Sequence, residues 1–557
     1  MATNLIGTLI QAGGIYALTW VVWRLSRRYT MKSPLDNIPG PRPTSMIFGN
    51  LKDMDDSVTM WKLQEDLMTK WNGVVKLKGF LNENMLYVFD PVAAYNVLLR
   101  DHYVYESPHF ARSWSKILFG DGVFAVTGSQ HKAQRKMMNP LFSIAQLRSI
   151  TPTFQNVAKK LCAAITTQVQ SRRTDSGEID VLDWLSRAAL ELIGQGGLGY
   201  SFDQLVEDKP NELGDAIKNI APSLSGGLLS YGDVISTLDV FGDSSSFKLR
   251  LLDSIPFKQV KQLVSCIRTI HDGCQNIYEE KKAALMAGED ATVHQVGEGK
   301  DIMSVLLKAN LEAVEQDRLS ENEVIGQMCS LVFAASDTTS SALARTLHIL
   351  AQHQDIQDKL REEILKASNN SGAENLSYDE IVDLPYLDAI CRETLRLYPP
   401  VGLIFKETNE DTILPFSKPI VGIDGSLISE IPVPKGTKVF VGITASNRTP
   451  ELWGEDALEW KPERWLSTLP RQVLDAKIPG VYANLLTFSG GGRACIGFKF
   501  SQLEMKVILS TLIESFRFKP SKNHSEIYWN ATRIVTPSIG PGNSPTMPME
   551  VTLIKDD

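Results

Sequence analysis

The chain has 557 residues, of which 43% are hydrophobic and 22% charged. That is enough apolar content for a large folded core and excludes wholesale disorder. With 57 basic against 65 acidic residues the formal charge is −8, which speaks against a nucleic-acid-binding surface, because phosphate backbones select basic faces. The six cysteines, at 162, 266, 274, 329, 391 and 495, are scattered and form no Cys-x-x-Cys pair. They read as reduced thiols in a cytosolic setting and not as a disulfide framework.

Leu5 to Trp23 carries no charge and is interrupted only by Thr8, Gln11, Thr19 and glycines. As a helix it would span about 28 Å, just enough to cross the hydrocarbon core of a bilayer. Arg24, Arg27, Arg28 and Lys32 follow it, and no Lys or Arg precedes it, so the positive-inside bias directs the rest of the chain to the cytosol. A cleaved signal peptide would need a basic region before the apolar run and a small-x-small site after it; a buried globular helix is the other alternative. The segment Ile38-Pro-Gly-Pro-Arg-Pro43 cannot continue a helix and reads as a stiff, extended hinge. The expected organisation is an anchor with its basic flank over residues 1–28, a proline-rich hinge over 29–45, and one large domain over 46–557.

Val74–Gly79 and Met85–Phe89 read as a strand pair, and Pro91–Leu99 as a helix opened by its proline. His131 and Arg135 lie four apart, on one face of a helix. Residues 205–300 say least: Ala221–Phe247, rich in Gly, Ser and Leu, could meet a membrane or pack on the core, and Gly288–Lys300 reads as an exposed loop.

Ser320 and Glu323 form a capping box that opens a long helix running to about Gln352. Inside it, Asp337, Thr338 and Thr339 follow Val332-Phe333-Ala334-Ala335 and precede Leu343. Apolar residues on nearly every face predict burial of this acid and these hydroxyls, and buried polar groups need partners or a purpose. Glu393 and Arg396 lie three apart on a helix that Pro399 ends, and Trp460-Lys-Pro-Glu-Arg464-Trp465 follows. Val401, Leu403 and Ile404 form an apolar stretch before Lys406, and segments near 412–443, punctuated by Pro432, Pro434 and Gly436, read as a small strand-rich lobe. No internal repeat appears.

The most informative stretch is Phe488-Ser-Gly-Gly-Gly-Arg493-Ala-Cys495-Ile-Gly497, running into the helical pattern that begins at Phe498. Its glycines permit a tight turn and close approach to a flat macrocycle. Free amide donors, the N-terminus of the following helix and Arg493 all favour a thiolate at Cys495, and a thiolate suits oxygen activation at haem iron.

This stretch resembles the haem-binding signature of the cytochrome P450 family at every fixed position, and four further motifs between 131 and 497 resemble the family in order. The resemblance implies a mainly α fold with a minor β region, the P450 triangular prism, preceded by one N-terminal transmembrane helix. It implies haem b between the long helix and the Cys495 loop, with Cys495 the axial iron ligand and Phe488 and Arg493 part of the cofactor site. Arg135, His131 (where the family usually has Trp) and Lys406 (where it often has Arg) would reach the haem propionates. Ala334-Ala335-Ser336-Asp337-Thr338-Thr339 resembles the family's A-G-x-D-T-T element with Ala335 in place of Gly. Thr338 would hold a water beside the reacting oxygen, and Asp337 would connect it to a proton supply. Glu393, Arg396 and Arg464 would form a buried structural triad. Val401, Leu403, Ile404 and Phe333 would face the distal pocket, and Lys132 and Lys136 an acidic reductase.

Together these imply a monooxygenase taking electrons from NADPH-cytochrome P450 reductase, with cytochrome b5 as a further donor, and acting on a hydrophobic terpenoid, steroid, fatty acid or polycyclic aromatic. The anchor and hinge resemble endoplasmic-reticulum members, and the helical motifs resemble fungal ones, with secondary metabolism or detoxification as the setting. The alternatives are a haem-thiolate isomerase or dehydratase needing no reductase, and a non-catalytic haem-binding sensor.

Overall fold

The computed structural model describes residues 15, 19, 22–23, 32–171, 176–205, 212–224, 245–288, 296, 299–531 and 533–554. Most of the expected anchor Leu5–Trp23, the central part of Ala221–Phe247 and most of Gly288–Lys300 lie outside the described residues. Among the described residues no helix is long and apolar enough to cross a membrane.

The described part of the proline-rich segment is docked on the body. Ser33 caps a short 3-10 turn over Pro34–Asn37. Leu35 and Ile38 are buried, and the Pro39 carbonyl accepts a bond from the Lys76 amide at 2.9 Å. Two apolar side chains, each worth about 1.5–3 kcal/mol when buried, outweigh the freedom of a linker.

The strands are β1 (Val74–Lys78), β2 (Asn84–Val88), β3 (Tyr105–Glu106), β4 (Ser176–Asp180), β5 (Leu403–Thr408), β6 (Thr412–Val421), β7 (Leu427–Val433), β8 (Lys438–Gly442), β9 (Phe516–Pro520), β10 (Tyr528–Asn530), β11 (Thr536–Ser538) and β12 (Pro548–Leu553). One mixed sheet has the order β1-β2-β8-β5-β3, and a second has β4-β12-β9. The pairs β6-β7 and β10-β11 stand alone as antiparallel hairpins. The expected lobe near 412–443 therefore divides: β6 and β7 form it, while β8 lies inside the larger sheet, parallel to β2 and antiparallel to β5. All five residues of β8 are buried, as expected of a strand covered on both faces.

Most of the remainder is helical, and its axis is Glu321–Gln352, capped by Ser320 and Glu323 as the sequence indicates. Residues on every face of this helix are buried, the mark of a helix through a core and not on it. It packs against helices Val181–Leu192, Lys258–Ala287 and Phe498–Ser515. The helix opened by Pro91 runs to Tyr95 and continues as a π-turn over Asn96–Arg100, bringing that segment against the Cys495 loop.

Candidate active site

Three elements converge on one interior space. The first is the loop before Phe498–Ser515. Gly491 has φ +69°, and a Cβ there would stand 2.0 Å from the Leu98 carbonyl oxygen of the π-turn; at Gly490 it would stand 1.9 Å from the Pro479 carbonyl oxygen. Only glycine fits such approaches without moving backbone. The loop closes through the Cys495 amide donating to the Phe488 carbonyl at 2.9 Å. Phe488 packs edge-on against Tyr482, ring centres 5.4 Å apart. Burial pushes the Cys495 thiol up, while the Gly497 amide and the Arg135 guanidinium pull it down. Cys495 is nevertheless exposed, and it lines an open depression of about 440 Å³ with Arg135, Phe142 and Ile496.

The second element is the middle of the long helix. Phe333, Ala334, Ala335, Asp337 and Thr338 are half-buried, whereas Gly326–Val332 before them and Thr339–Ala344 after them are buried. The core helix is thus open along one stretch. Burial raises the Asp337 carboxyl to about 7, with the Lys218 ammonium as the opposing influence. The Thr338 hydroxyl donates to the Ala334 carbonyl at 2.7 Å, so its oxygen still has a lone pair to accept from another donor. The neighbouring Thr339 hydroxyl lies 3.2 Å from that of Ser501, which ties this stretch to the helix that follows Cys495. Phe333 packs on Phe119, ring centres 4.8 Å apart.

The third element is a cluster of cations. Helix Gly128–Met138 carries both His131 and Arg135. Burial, then the charges of Arg493, Arg135, Lys406 and His102, depress the His131 imidazole to about 3. Burial and Arg493 lower the Lys406 ammonium to about 8. Arg135 donates to the Ala494 carbonyl at 2.8 Å. Arg493 donates from Nε and Nη2 to Glu106 at 3.1 and 2.9 Å, and from Nη2 to the Val126 carbonyl at 2.9 Å. Mutual repulsion among the cations Arg135, Lys406 and Arg493 around the Glu106 carboxylate is relieved by an anionic ligand. Two members were not singled out in the sequence: His102, which would lie 3.5 Å from a Cβ at Gly492, and Glu106 on β3.

Val401, Leu403 and Ile404 do not share one face. Ile404 and Val401 pack on the main core, whereas Leu403 and Phe405 pack on the separate cluster around Met60, Tyr87 and Phe440. Leu403 and Ile404 are successive residues of β5, and successive strand side chains point to opposite faces. Leu403 therefore does not join the others at the pocket.

Glu393, Arg396 and Arg464 are brought together in the core. Arg396 grips Glu393 bidentately, Nε and Nη2 each at 2.8 Å, and Arg464 Nε adds a bond at 3.3 Å. Arg396 also donates to the carbonyls of Asn447, Ala457 and Glu459, stitching two further segments to one helix.

A family model described as Cytochrome P450 matches residues 39–540. The chain belongs to the cytochrome P450 family. Cytochrome P450 monooxygenase 91 of Postia placenta is 48% identical over 544 residues, covering 97% of this chain and 98% of that one. A ganoderic acid synthetase of Ganoderma lucidum is 42% identical over 94% of this chain and 95% of its own. A cytochrome P450 crystal structure superposes with a TM-score of 0.67 at 20% identity, covering 93% of this chain and all of the other, which shows the P450 fold. The chain is thus a P450 monooxygenase with fungal relatives and takes haem b as its cofactor. The cavity fits that group: a thiol at its floor, an open stretch of apolar helix above, and a cationic cluster for two propionates.

Proposed function

We propose that this P450 inserts one atom of dioxygen into a hydrophobic small molecule of the terpenoid, steroid, fatty acid or polycyclic aromatic classes, in secondary metabolism or detoxification. Cys495 would bind the haem iron, with Phe488 and Arg493 completing its loop, and His131, Arg135, Lys406 and Arg493 would hold the propionates. The observation that carries this reading is the accessible Cys495 thiol beside the cations Arg135, Lys406 and Arg493, which share one carboxylate, Glu106. Haem, when bound through such a thiolate, supplies reductive activation of dioxygen.

The chain's own groups do the rest. Phe333, Val401 and Ile404 shape an apolar space and exclude water. Thr338 accepts a hydrogen bond from a water and holds it near the reacting oxygen. Asp337, its carboxyl raised to about 7 by burial, passes a proton to that water and regains one from solvent. Glu393, Arg396 and Arg464 fix the scaffold and take no part in the chemistry. Lys132, exposed on the helix that carries Arg135, and Lys499, at the start of the helix that follows Cys495, suit the acidic face of NADPH-cytochrome P450 reductase, with cytochrome b5 as a further donor. The uncharged run Leu5–Trp23 with its basic flank supports a single-pass anchor in the endoplasmic reticulum, with the catalytic domain in the cytosol.

Thr338→Ala tests the mechanism. The expected result is retained haem with NADPH consumption that no longer yields product in proportion; an unchanged ratio of product to NADPH overturns the role of Thr338.

A further inference from the structure

The hairpin of β10 and β11 reaches into the molecule tip first. Its tip is pinned on three sides. The Ala531 amide donates to the Ser57 carbonyl at 3.1 Å, and the Val535 amide to the Pro400 carbonyl at 2.9 Å. The Ser341 hydroxyl donates to the Val535 carbonyl. Ser341 lies one helical turn beyond Thr338, and Pro400 immediately precedes Val401. The tip therefore abuts two walls of the cavity described above.

Ile534 and Val535 are buried at this tip, but Arg533 is not: a water-sized probe reaches its side chain. Its neighbours Ala531, Ile534 and Val535 are all buried, the tip is bonded to Pro400 and Ser341 at the cavity walls, and burial lowers the Arg533 guanidinium pKa with no neighbouring charge acting on it. No hydrogen bond or ion pair joins Arg533 to any other described residue. It is also separate from the propionate cluster, since the charges acting on His131, Lys406 and Arg493 do not include it. An enclosed guanidinium without a counter-charge is costly, and removing the cost takes an anion with good geometry. No described residue supplies that anion, and a bound ligand would.

We propose that Arg533 anchors a carboxylate on the substrate. Resting on the monooxygenase reading, this narrows the substrate class to amphiphiles: an apolar body lying along Phe333, Val401 and Ile404, and an acid group at the hairpin tip. The planar fork of a guanidinium matches a carboxylate bidentately, and its charge-assisted bonds are strong where water is excluded. The oxidised carbon then lies at the end of the molecule remote from the acid.

The test uses the full-length, haem-loaded enzyme and a series of ω-(imidazol-1-yl)alkanoic acids with eight to twelve carbons, each beside its methyl ester. The imidazole binds the iron and reports occupancy as a Soret shift, whatever the natural substrate. In the wild type, the acid of best-matched length should bind about tenfold to a hundredfold tighter than its ester. Arg533→Gln should abolish that advantage while leaving ester affinity unchanged, and Arg533→Lys should restore part of it. Equal binding of acid and ester at every length, or an acid advantage that survives in Arg533→Gln, overturns the proposal. Failure of the haem-thiolate reading would look different: a protein that takes up no haem and has no Soret band to shift.

Discussion

Replacing Glu393 with Gln keeps the volume of the side chain and removes its charge. In the structure Glu393 accepts from five donors: Nε and Nη2 of Arg396, Nε of Arg464, the Trp465 indole at 2.9 Å and the Lys461 amide at 3.0 Å. An exposed ion pair at this spacing is worth about 0.5 kcal/mol. Here Glu393 and Arg396 are both fully buried. The amide would turn donors toward a guanidinium and leave two arginines facing each other, with Asp456 the remaining carboxylate, bonded to Arg464 at 2.9 Å. Breaking such a buried pair costs about 3–5 kcal/mol, a large part of a total stability of about 5–15 kcal/mol. The expected outcome for Glu393→Gln is a severalfold loss of haem-loaded protein and faster thermal loss of the Soret band, with near-normal turnover per remaining haem. The assay is the Soret-to-280 nm absorbance ratio after purification, followed by its decay on heating. Wild-type loading and decay with depressed turnover would refute the structural assignment.

Two further outcomes follow from the site. Asp337 binds a proton more tightly folded, at about 7, than its ordinary value of 3.8, so the folded chain holds the extra proton between those values and stability falls as pH rises through that window. Proton delivery follows the same titration: product formed per NADPH should decline above pH 7 in the wild type, and Asp337→Asn should be poorly coupled with no inflection near 7. A pH profile identical in both proteins contradicts the assignment. On the other face, Lys132→Glu with Lys499→Glu should raise the reductase concentration needed for half-maximal rate severalfold at low salt, an effect that added salt diminishes; reductase titrations that match wild type would place the docking surface elsewhere.

Local chemistry made some of this site legible. The Ser320–Glu323 box, the apolar run around Asp337 and the spacing of Glu393 and Arg396 each carry their consequence within a few residues, and the helices form where that chemistry directs. Long-range pairing did not show itself. Nothing in Lys438–Gly442 tells a hairpin lobe from the inside of a sheet, because its partners β2 and β5 are set by topology. Leu403 was misplaced by grouping neighbours without applying strand alternation. His102 lies in a short irregular stretch and Glu106 in a two-residue strand, and they meet Gly492 and Arg493 only after a loop closes across most of the chain. Arg533, between polar and apolar residues at a hairpin tip, has the sequence look of a solvated charge; only the docking of that tip on Pro400 and Ser341 encloses it.

The central claim is that Cys495 binds haem iron as a thiolate. The reduced carbon monoxide difference spectrum of the full chain, compared with that of Cys495→Ser, tests it most directly. A thiolate-type Soret band in the wild type that disappears in the variant is the expected result. A histidine-type band in both proteins, or no bound haem in either, would contradict it.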